Sequence, residues 1–237
     1  MIPLRDNIPS RRSPIVNTTL IIVNVIVFLF EIIVLGSEPL HRFTYDWGLV
    51  PAEFWQVGDL RSWITLFTSM FLHGGWWHLI SNMLALYIFG DNVEDRVGHV
   101  RYLLFYLLAG LAAGGAHLVA YAESTLPTVG ASGAIAGVLG AYLVLFPQAR
   151  VLTLLPIFYF VRLIEIPAFI YLGFWFISQL FNGIFALTAA DVFQSGGVAW
   201  WAHIGGFVFG LLVVRLLVSR AKPEVVGRYH PWQNDRW

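Results

Sequence analysis

Apolar runs separated by short polar breaks dominate this sequence. An apolar stretch of about 18 residues is long enough to cross the hydrocarbon core of a bilayer as a helix. The runs cover residues 15–35, 77–91, 101–121, 132–147, 167–186 and 201–219, and the second and fourth are short. The pattern therefore predicts an all-α, polytopic membrane protein in which six transmembrane helices form one bundle.

The polar ends complete the predicted domain organisation. Residues 1–14 form a polar N-terminal segment, residues 15–219 the membrane domain, and residues 220–237 a polar C-terminal tail. Hydrophobic residues make up 58% of the chain and charged residues 12%, about half the charged share of an average soluble domain. The net charge of zero does not indicate a polyanionic partner. The absence of cysteine excludes a thiol nucleophile, disulfides and thiolate metal sites.

The basic residues predict the orientation of the six helices. With the N-terminus in the cytoplasm, all but two of the 14 Lys and Arg residues lie in or beside cytoplasmic segments; the exceptions are Arg42 and Arg61. Cytoplasmic segments of membrane proteins are enriched in Lys and Arg. We therefore expect both termini in the cytoplasm. A prokaryotic plasma membrane is the favoured location, with an organelle membrane as the alternative.

Four polar side chains fall at a similar depth in this topology. Helices two, four and six all begin on the outer side, and they begin with His78 and Asn82, with Ser132, and with His203. Polar side chains inside a bilayer are costly and usually face the bundle interior or a wet cavity. A shared depth therefore indicates a site rather than four unrelated residues.

Ser132 is a candidate nucleophile. Serines in membrane helices commonly bond a backbone carbonyl one turn earlier, but Ser132 lies in a first turn, where free N–H groups stabilise negative charge. A helix over 132–147 covers roughly 24 Å of a core about 30 Å thick. Ser132 should therefore lie below the outer surface, in a cavity that water can reach.

His203 is the candidate base for Ser132. Gly206 and Gly210 share its helical face, and small residues let helices approach closely. The close approach would bring the imidazole within reach of the serine hydroxyl. No carboxylate is expected to orient His203, because Asp191 falls in a loop and Glu31 is assigned to the cytoplasmic end of the first helix. The arrangement predicts a Ser-His dyad rather than a triad.

His78 and Asn82 are candidate oxyanion donors. They are four residues apart and so share one helical face. The alternative is that they bond neighbouring helices. A metal site is a poorer interpretation, because no His-Glu-x-x-His stretch occurs and no nearby carboxylate completes a zinc set.

The motifs in this order resemble the rhomboid family of intramembrane serine proteases. The resemblance rests on four stretches, which are His73-Gly-Gly-Trp-Trp-His78-Leu-Ile-Ser-Asn82, Gly90-Asp-Asn-Val-Glu94-Asp-Arg-Val-Gly98, Gly130-Ala-Ser132-Gly133, and Ala202-His203-Ile-Gly-Gly206 with Gly210. The resemblance implies that Ser132 is the nucleophile and His203 the base. It also implies that His78, Asn82 and the Ser132 backbone N–H form an oxyanion hole, and that Gly130 lines the substrate path.

Two positions depart from the family pattern. Rhomboids often carry a Trp-Arg pair in the first outer loop, whereas here Ile64 follows Trp63 and the arginine is Arg61. The family commonly has an aromatic residue one turn after the serine, where this chain has Ala136. Trp200 or Trp201 is the expected substitute as the aromatic neighbour of His203.

The predicted function is that of an endopeptidase that uses no cofactor. Its partners would be the lipid bilayer and single-span or multi-span membrane proteins, cut near the outer end of a transmembrane helix. Two alternatives stay open at this point. One is a rhomboid-like protein that binds membrane clients without cutting them. The other is a transporter, for which polar sites near the midplane and internal repeats are expected.

Overall fold

The computed structural model describes residues 1–35, 37–157, 160–188 and 198–218. The elements follow in this order: β1 (Ile2–Asp6), α1 (Ile15–Phe30) continued by a π-helical turn (Glu31–Leu35), α2 (Ser37–Trp47), α3 (Pro51–Gln56), α4 (Leu60–Thr68) followed by a 3₁₀ turn (Ser69–Phe71), α5 (Trp76–Val97), α6 (His99–Ala120), α7 (Ser132–Leu145), β2 (Arg150–Ile157), β3 (Phe160–Pro167), α8 (Ala168–Thr188) and α9 (Trp200–Leu217). Asp191 and the predicted tail over 220–237 lie outside the described residues.

Long apolar helices make up most of the described chain. Four of them, α1, α6, α8 and α9, are long and apolar enough to cross a membrane. The helix α7 is apolar but only 14 residues long, and α5 carries acidic and basic residues in its last turns. The chain is a multi-pass membrane protein, and the number of six spans stays a prediction.

A small β-sheet corrects the prediction of an all-α protein. The strands β1, β2 and β3 form an antiparallel sheet in that order, so the N-terminal strand pairs with a strand about 150 residues further on. The sheet lies at the end of α7 opposite to Ser132, because β2 follows the last turn of α7. The strands β2 and β3 are largely apolar, but each is only eight residues long, so a search for long apolar runs overlooks them.

A glycine seam brings α7 and α9 into direct backbone contact. A Cβ atom on Gly206 would lie 2.0 Å from the carbonyl oxygen of Gly133, and one on Gly210 would lie 2.0 Å from that of Gly137. No side chain fits in this space, so only glycine permits the approach. The predicted close packing of these two helices is confirmed.

Glu94 anchors the other end of the bundle. Its carboxylate is 1% exposed and accepts hydrogen bonds from the backbone N–H groups of Val16 and Asn17, at 2.9 and 2.7 Å. These are free donors in the first turn of α1, and a negative charge there is favourable. His99 contacts the same carboxylate. Glu94 therefore has a structural role at this end of the bundle.

Candidate active site

Ser132 and His203 are in hydrogen-bond contact inside the bundle. Ser132 is the first residue of α7, His203 lies in the first turn of α9, and Ser132 Oγ is 2.8 Å from His203 Nε2. The contact follows from the glycine seam, which holds the two helix starts close together. An imidazole nitrogen at this distance is placed to accept the hydroxyl proton.

Gln179 of α8 determines which nitrogen of His203 carries a proton. Its amide nitrogen donates to the carbonyl oxygen of Trp175 at 3.2 Å, and its Oε1 is 2.8 Å from His203 Nδ1. A carbonyl oxygen only accepts, so the amide NH₂ must face Trp175 and the amide oxygen must face the imidazole. Nδ1 therefore carries the proton, and Nε2 is free to accept from Ser132.

Trp175 takes the place beside His203 for which the sequence suggested Trp200 or Trp201. Its ring centroid is 5.8 Å from that of His203, and the two planes are tilted by 34°. Trp200 meets the imidazole edge-on, at 6.4 Å and 89°. Trp201 instead donates from Nε1 to the carbonyl of Gly183 at 3.2 Å. The expectation was wrong for Trp201, while Trp200 touches the base only with its edge.

Gly130 lies between His78 and Ser132. Its φ is +131°, a conformation that L side chains rarely adopt. A Cβ atom there would stand 2.7 Å from two atoms of the His78 ring, Cε1 and Nε2, and 3.5 Å from Ser132 Oγ. The absence of a side chain therefore leaves open the space that His78 and the serine share.

His78 has a donor available towards that space. The backbone N–H of Gly74 donates to His78 Nδ1 at 3.4 Å, so the proton of the neutral ring belongs on Nε2. Nε2 is one of the two ring atoms beside Gly130. His78 therefore presents an N–H group close to Ser132.

Asn82 lies one helical turn after His78 on α5. Its side chain is 6% exposed, and its amide nitrogen has no hydrogen-bond partner within the described part of the chain. A buried donor without a partner costs free energy, commonly about 1–3 kcal/mol. Such a donor is well suited to a charge that forms only during a reaction.

Glu31 lies at the site end of the bundle, which corrects its assignment to the cytoplasmic end of the first helix. Its Oε2 accepts from the backbone N–H of His73 at 3.4 Å, and the His73 ring is 5.1 Å from that of His78. Burial, and then the nearby His78 ring, lowers the pKa of His73 to about 4. Glu31 supports the loop before α5 and does not contact His203.

A small cavity adjoins Ser132. Its volume is about 30 Å³, and its polar lining comes from Ser69, His117, Thr128 and Ser132. This volume holds about two water molecules. Within the described ranges, no three His, Asp or Glu side chains are grouped as metal ligands would be.

The segment between α1 and α5 has its own ionic contact. Arg61 donates to the carboxylate of Asp46 at 2.6 Å and to the carbonyl oxygen of the same residue at 3.2 Å. This contact links α2 to α4. Trp63, which is not followed by an arginine here, packs edge-on against Phe54.

These features define a multi-pass membrane protein with a serine and a histidine paired near one end of its helices. The family model described as the Rhomboid domain matches residues 60–220. The chain therefore belongs to the rhomboid family.

Several curated relatives carry protease names. The chain is 37% identical over 155 residues to the rhomboid protease GluP of Bacillus subtilis. The aligned residues cover 65% of this chain and 26% of the relative. It is 29% identical over 212 residues to the rhomboid protease AarA of Providencia stuartii, covering 82% and 69%. It is 32% identical over 175 residues to the mitochondrial rhomboid protein 1 of Saccharomyces cerevisiae, covering 72% and 45%. The matched part is thus less than half the length of the yeast and Bacillus proteins.

Proposed function

We propose that this protein is an intramembrane serine endopeptidase in which Ser132 is the nucleophile and His203 the general base. The observation that carries the proposal is the 2.8 Å contact between Ser132 Oγ and His203 Nε2. Family membership and the protease names of the relatives support it.

The reaction begins when His203 Nε2 takes the proton of Ser132 as Oγ attacks a substrate carbonyl carbon. The attack places a negative charge on the carbonyl oxygen. His78 Nε2–H, Asn82 Nδ2–H and the Ser132 backbone N–H are the donors proposed for that oxyanion. Each such donor typically contributes about 3–4 kcal/mol to the transition state.

Collapse of the tetrahedral intermediate breaks the peptide bond. The imidazolium of His203 gives its proton to the leaving amine, and the acyl group stays on Ser132. Water then attacks the ester with His203 as base, and Ser132 recovers its proton. The cavity beside Ser132 is a suitable place to hold that water.

The proposed substrates are membrane proteins cut near the outer end of a transmembrane helix. A continuous helix keeps its carbonyl groups in hydrogen bonds, so a substrate must unwind at the cleaved bond. Glycine, proline or other helix-weakening residues are expected there. Gly130 leaves the backbone space that an extended substrate segment needs.

The test is cleavage of a single-span substrate by the protein reconstituted in liposomes, together with labelling by a fluorophosphonate probe. Ser132→Ala should abolish both. Ser81→Ala is the matched control, because this exposed serine of α5 should have no effect on either. Cleavage that survives Ser132→Ala would overturn the proposal. A client-binding protein without activity would bind the substrate and remain unlabelled.

A further inference from the structure

The geometry points to Gln179 as the residue that positions the base, in the place that a carboxylate occupies in a Ser-His-Asp triad. This inference rests on the proposed function and adds a third member to its dyad. Gln179 does not touch the reacting atoms. It acts through the tautomer and the orientation of His203.

The hydrogen bonds around Gln179 permit only one orientation of its side-chain amide. The backbone carbonyl oxygen of Trp175 accepts from the Gln179 amide nitrogen at 3.2 Å. The same nitrogen lies 3.1 Å from Ser178 Oγ. These contacts hold the amide in place, so its oxygen faces His203 Nδ1 at 2.8 Å. A reversed amide would place two donors against Nδ1–H and lose the bond to Trp175.

Burial strengthens the control of His203 by these hydrogen bonds. Gln179 is 5% exposed and His203 is 8% exposed, so water does not readily replace the amide oxygen as the partner of Nδ1. A buried donor without an acceptor carries a large cost. The imidazole is therefore held with its basic nitrogen towards Ser132, and Trp175 restricts the ring from one face.

A neutral partner differs from a carboxylate in its effect on proton affinity. An aspartate would stabilise the imidazolium by charge as well as by a hydrogen bond. An amide oxygen supplies the hydrogen bond alone. A neutral orienting group suits an apolar interior, where an ionised carboxylate is expensive.

The test compares Gln179→Met with Asn182→Met. Asn182 lies one turn later on α8 and also donates to a carbonyl four residues earlier, Ser178 O, at 2.7 Å, whereas the ring nitrogens of His203 bond Gln179 and Ser132. We expect Gln179→Met to lower kcat about 10- to 100-fold at unchanged KM, since a wrong tautomer in a related triad costs more than this. Asn182→Met should retain wild-type kinetics.

Gln179→Glu supplies a readout that a merely structural role would not produce. A carboxylate keeps the acceptor but holds the proton on the imidazole more tightly, so the acid limb of the kcat profile should move to higher pH while the rate at alkaline pH recovers. Wild-type kcat and pH profile in both Gln179 variants would overturn the inference and leave the proposed function intact. Activity in Ser132→Ala would instead overturn the function itself.

A separate observation concerns the β2–β3 hairpin, residues 150–157 and 160–167. Apolar side chains of β3 are largely exposed, with Phe160 at 70%, Val161 at 62% and Leu163 at 59%. Neighbouring residues of a strand point to opposite faces. Both faces of this edge strand therefore present apolar groups, a pattern that promotes aggregation in water.

The surface of β3 continues into the side of α8. The strand ends at Pro167, the helix begins at Ala168, and Phe169, Ile170 and Phe174 are exposed along its first turns. The helix α8 is apolar enough to cross a membrane, so these side chains face lipid. The hairpin extends the same apolar surface at the end of the bundle opposite to Ser132.

We infer that the β2–β3 hairpin is seated in the interfacial layer of the bilayer at that end. The open backbone edge of β3 needs hydrogen-bond partners that hydrocarbon lacks, which keeps the hairpin at the depth of the head groups. Arg150 and Arg162 are exposed and suited to lipid phosphates. The occupant of this surface is lipid.

Spin labels test this seating directly, because the chain has no cysteine. A nitroxide at Leu163→Cys in nanodiscs should collide more often with oxygen, and less often with a water-soluble nickel chelate, than a label in water. Glu123→Cys, in an exposed loop, is the control and should be open to the chelate. Equal chelate access at both positions would overturn the inference. So would strong spin–spin broadening at Leu163, which would mean that a second copy covers the hairpin.

Discussion

Around Glu94 the buried polar groups bond to one another, whereas around Ser132 several of them have no partner. Both oxygens of Glu94 accept from backbone N–H groups. Asn17 donates to the carbonyl of Leu86 at 2.9 Å and accepts from Tyr102 at 2.7 Å. The polar groups at this end therefore offset their own cost of burial.

At the Ser132 end, the cost of burying several polar groups is not offset by hydrogen bonds. The described residues offer no partner to Asn82 Nδ2, to either ring nitrogen of His73, or to Glu31 Oε1. Each unpaired group lowers the stability of the fold. Buried polar groups that weaken a fold are most simply explained by a role in function. The comparison teaches that the buried polar groups around Glu94 are paired with one another, whereas several of those around Ser132 are left unpaired.

The largest expected effect comes from Asn82→Ala. Loss of an oxyanion donor should lower kcat about 10²- to 10³-fold, or about 3–4 kcal/mol in the barrier. The thermal midpoint should not fall, because the lost Nδ2 has no partner in the folded state. Kinetics in liposomes and a melting curve measure the two quantities. A large loss of stability with normal kcat would place Asn82 among the structural groups and break the comparison.

Gly210→Ala should lower both the stability of the fold and the activity. The added Cβ would stand 2.0 Å from Gly137 O, so α7 and α9 must separate, and the cost is about 3 kcal/mol. The same movement carries His203 away from Ser132. Gly115→Ala is the matched control, because a Cβ at Gly115 meets no atom within 4 Å. If Gly210→Ala kept both its melting temperature and its activity, the seam would not be what holds the dyad.

Asn17→Ala is expected to affect stability alone. It leaves the Leu86 carbonyl and the Tyr102 hydroxyl without their partner, which costs about 2 kcal/mol. The kcat of the remaining folded protein should equal that of the wild type. Adding Tyr102→Phe removes one of the stranded groups and should recover part of the loss. A fall in kcat without a fall in stability would contradict the structural role of this end.

The helices and the pairing of Ser132 with His203 could be predicted because their signals are local. Apolar runs give the helices, and the glycines beside each residue predict the close approach of α7 and α9. The sheet was missed because the pairing of Ile2 with Leu154 leaves no local mark. Glu31 was misplaced even though the predicted topology itself puts the end of the first helix on the outer side.

Gln179 and Trp175 could not be assigned to the base for a related reason. Both lie on α8, and their distance from His203 in the sequence gives no indication of contact. A lone glutamine in an apolar helix is a signal, since such polar residues usually face the bundle interior. The partner that it faces depends on how α8 packs against α9, which only the three-dimensional structure shows.

The smallest expected effect is a pH dependence at the structural end. Burial, opposed by hydrogen bonds and reinforced by the nearby Asp91, raises the pKa of Asp6 from 3.8 to about 6. A carboxyl group whose pKa is raised by folding contributes to stability at pH values below its pKa in the unfolded chain. This contribution is lost as the pH rises through its pKa in the folded protein. The free energy of unfolding should therefore fall between about pH 4 and pH 7. We expect a fall of only about 1 kcal/mol, because the contact that Asp6 keeps with water weakens the effect.

Asp6→Asn should remove this slope. The amide oxygen still accepts from Tyr142 and Asn92, which both bond the Asp6 carboxylate, and it bears no charge at neutral pH. Asp59→Asn is the control, because hydrogen bonds from Ser62 hold the pKa of Asp59 below its usual value, so the stability that it contributes is lost only at lower pH. Denaturation measured across this range should show a flatter profile for Asp6→Asn and an unchanged slope for Asp59→Asn. An unchanged slope in Asp6→Asn would show that Asp6 is not a source of pH dependence, and that the polar groups of this end are fully satisfied in their charged state.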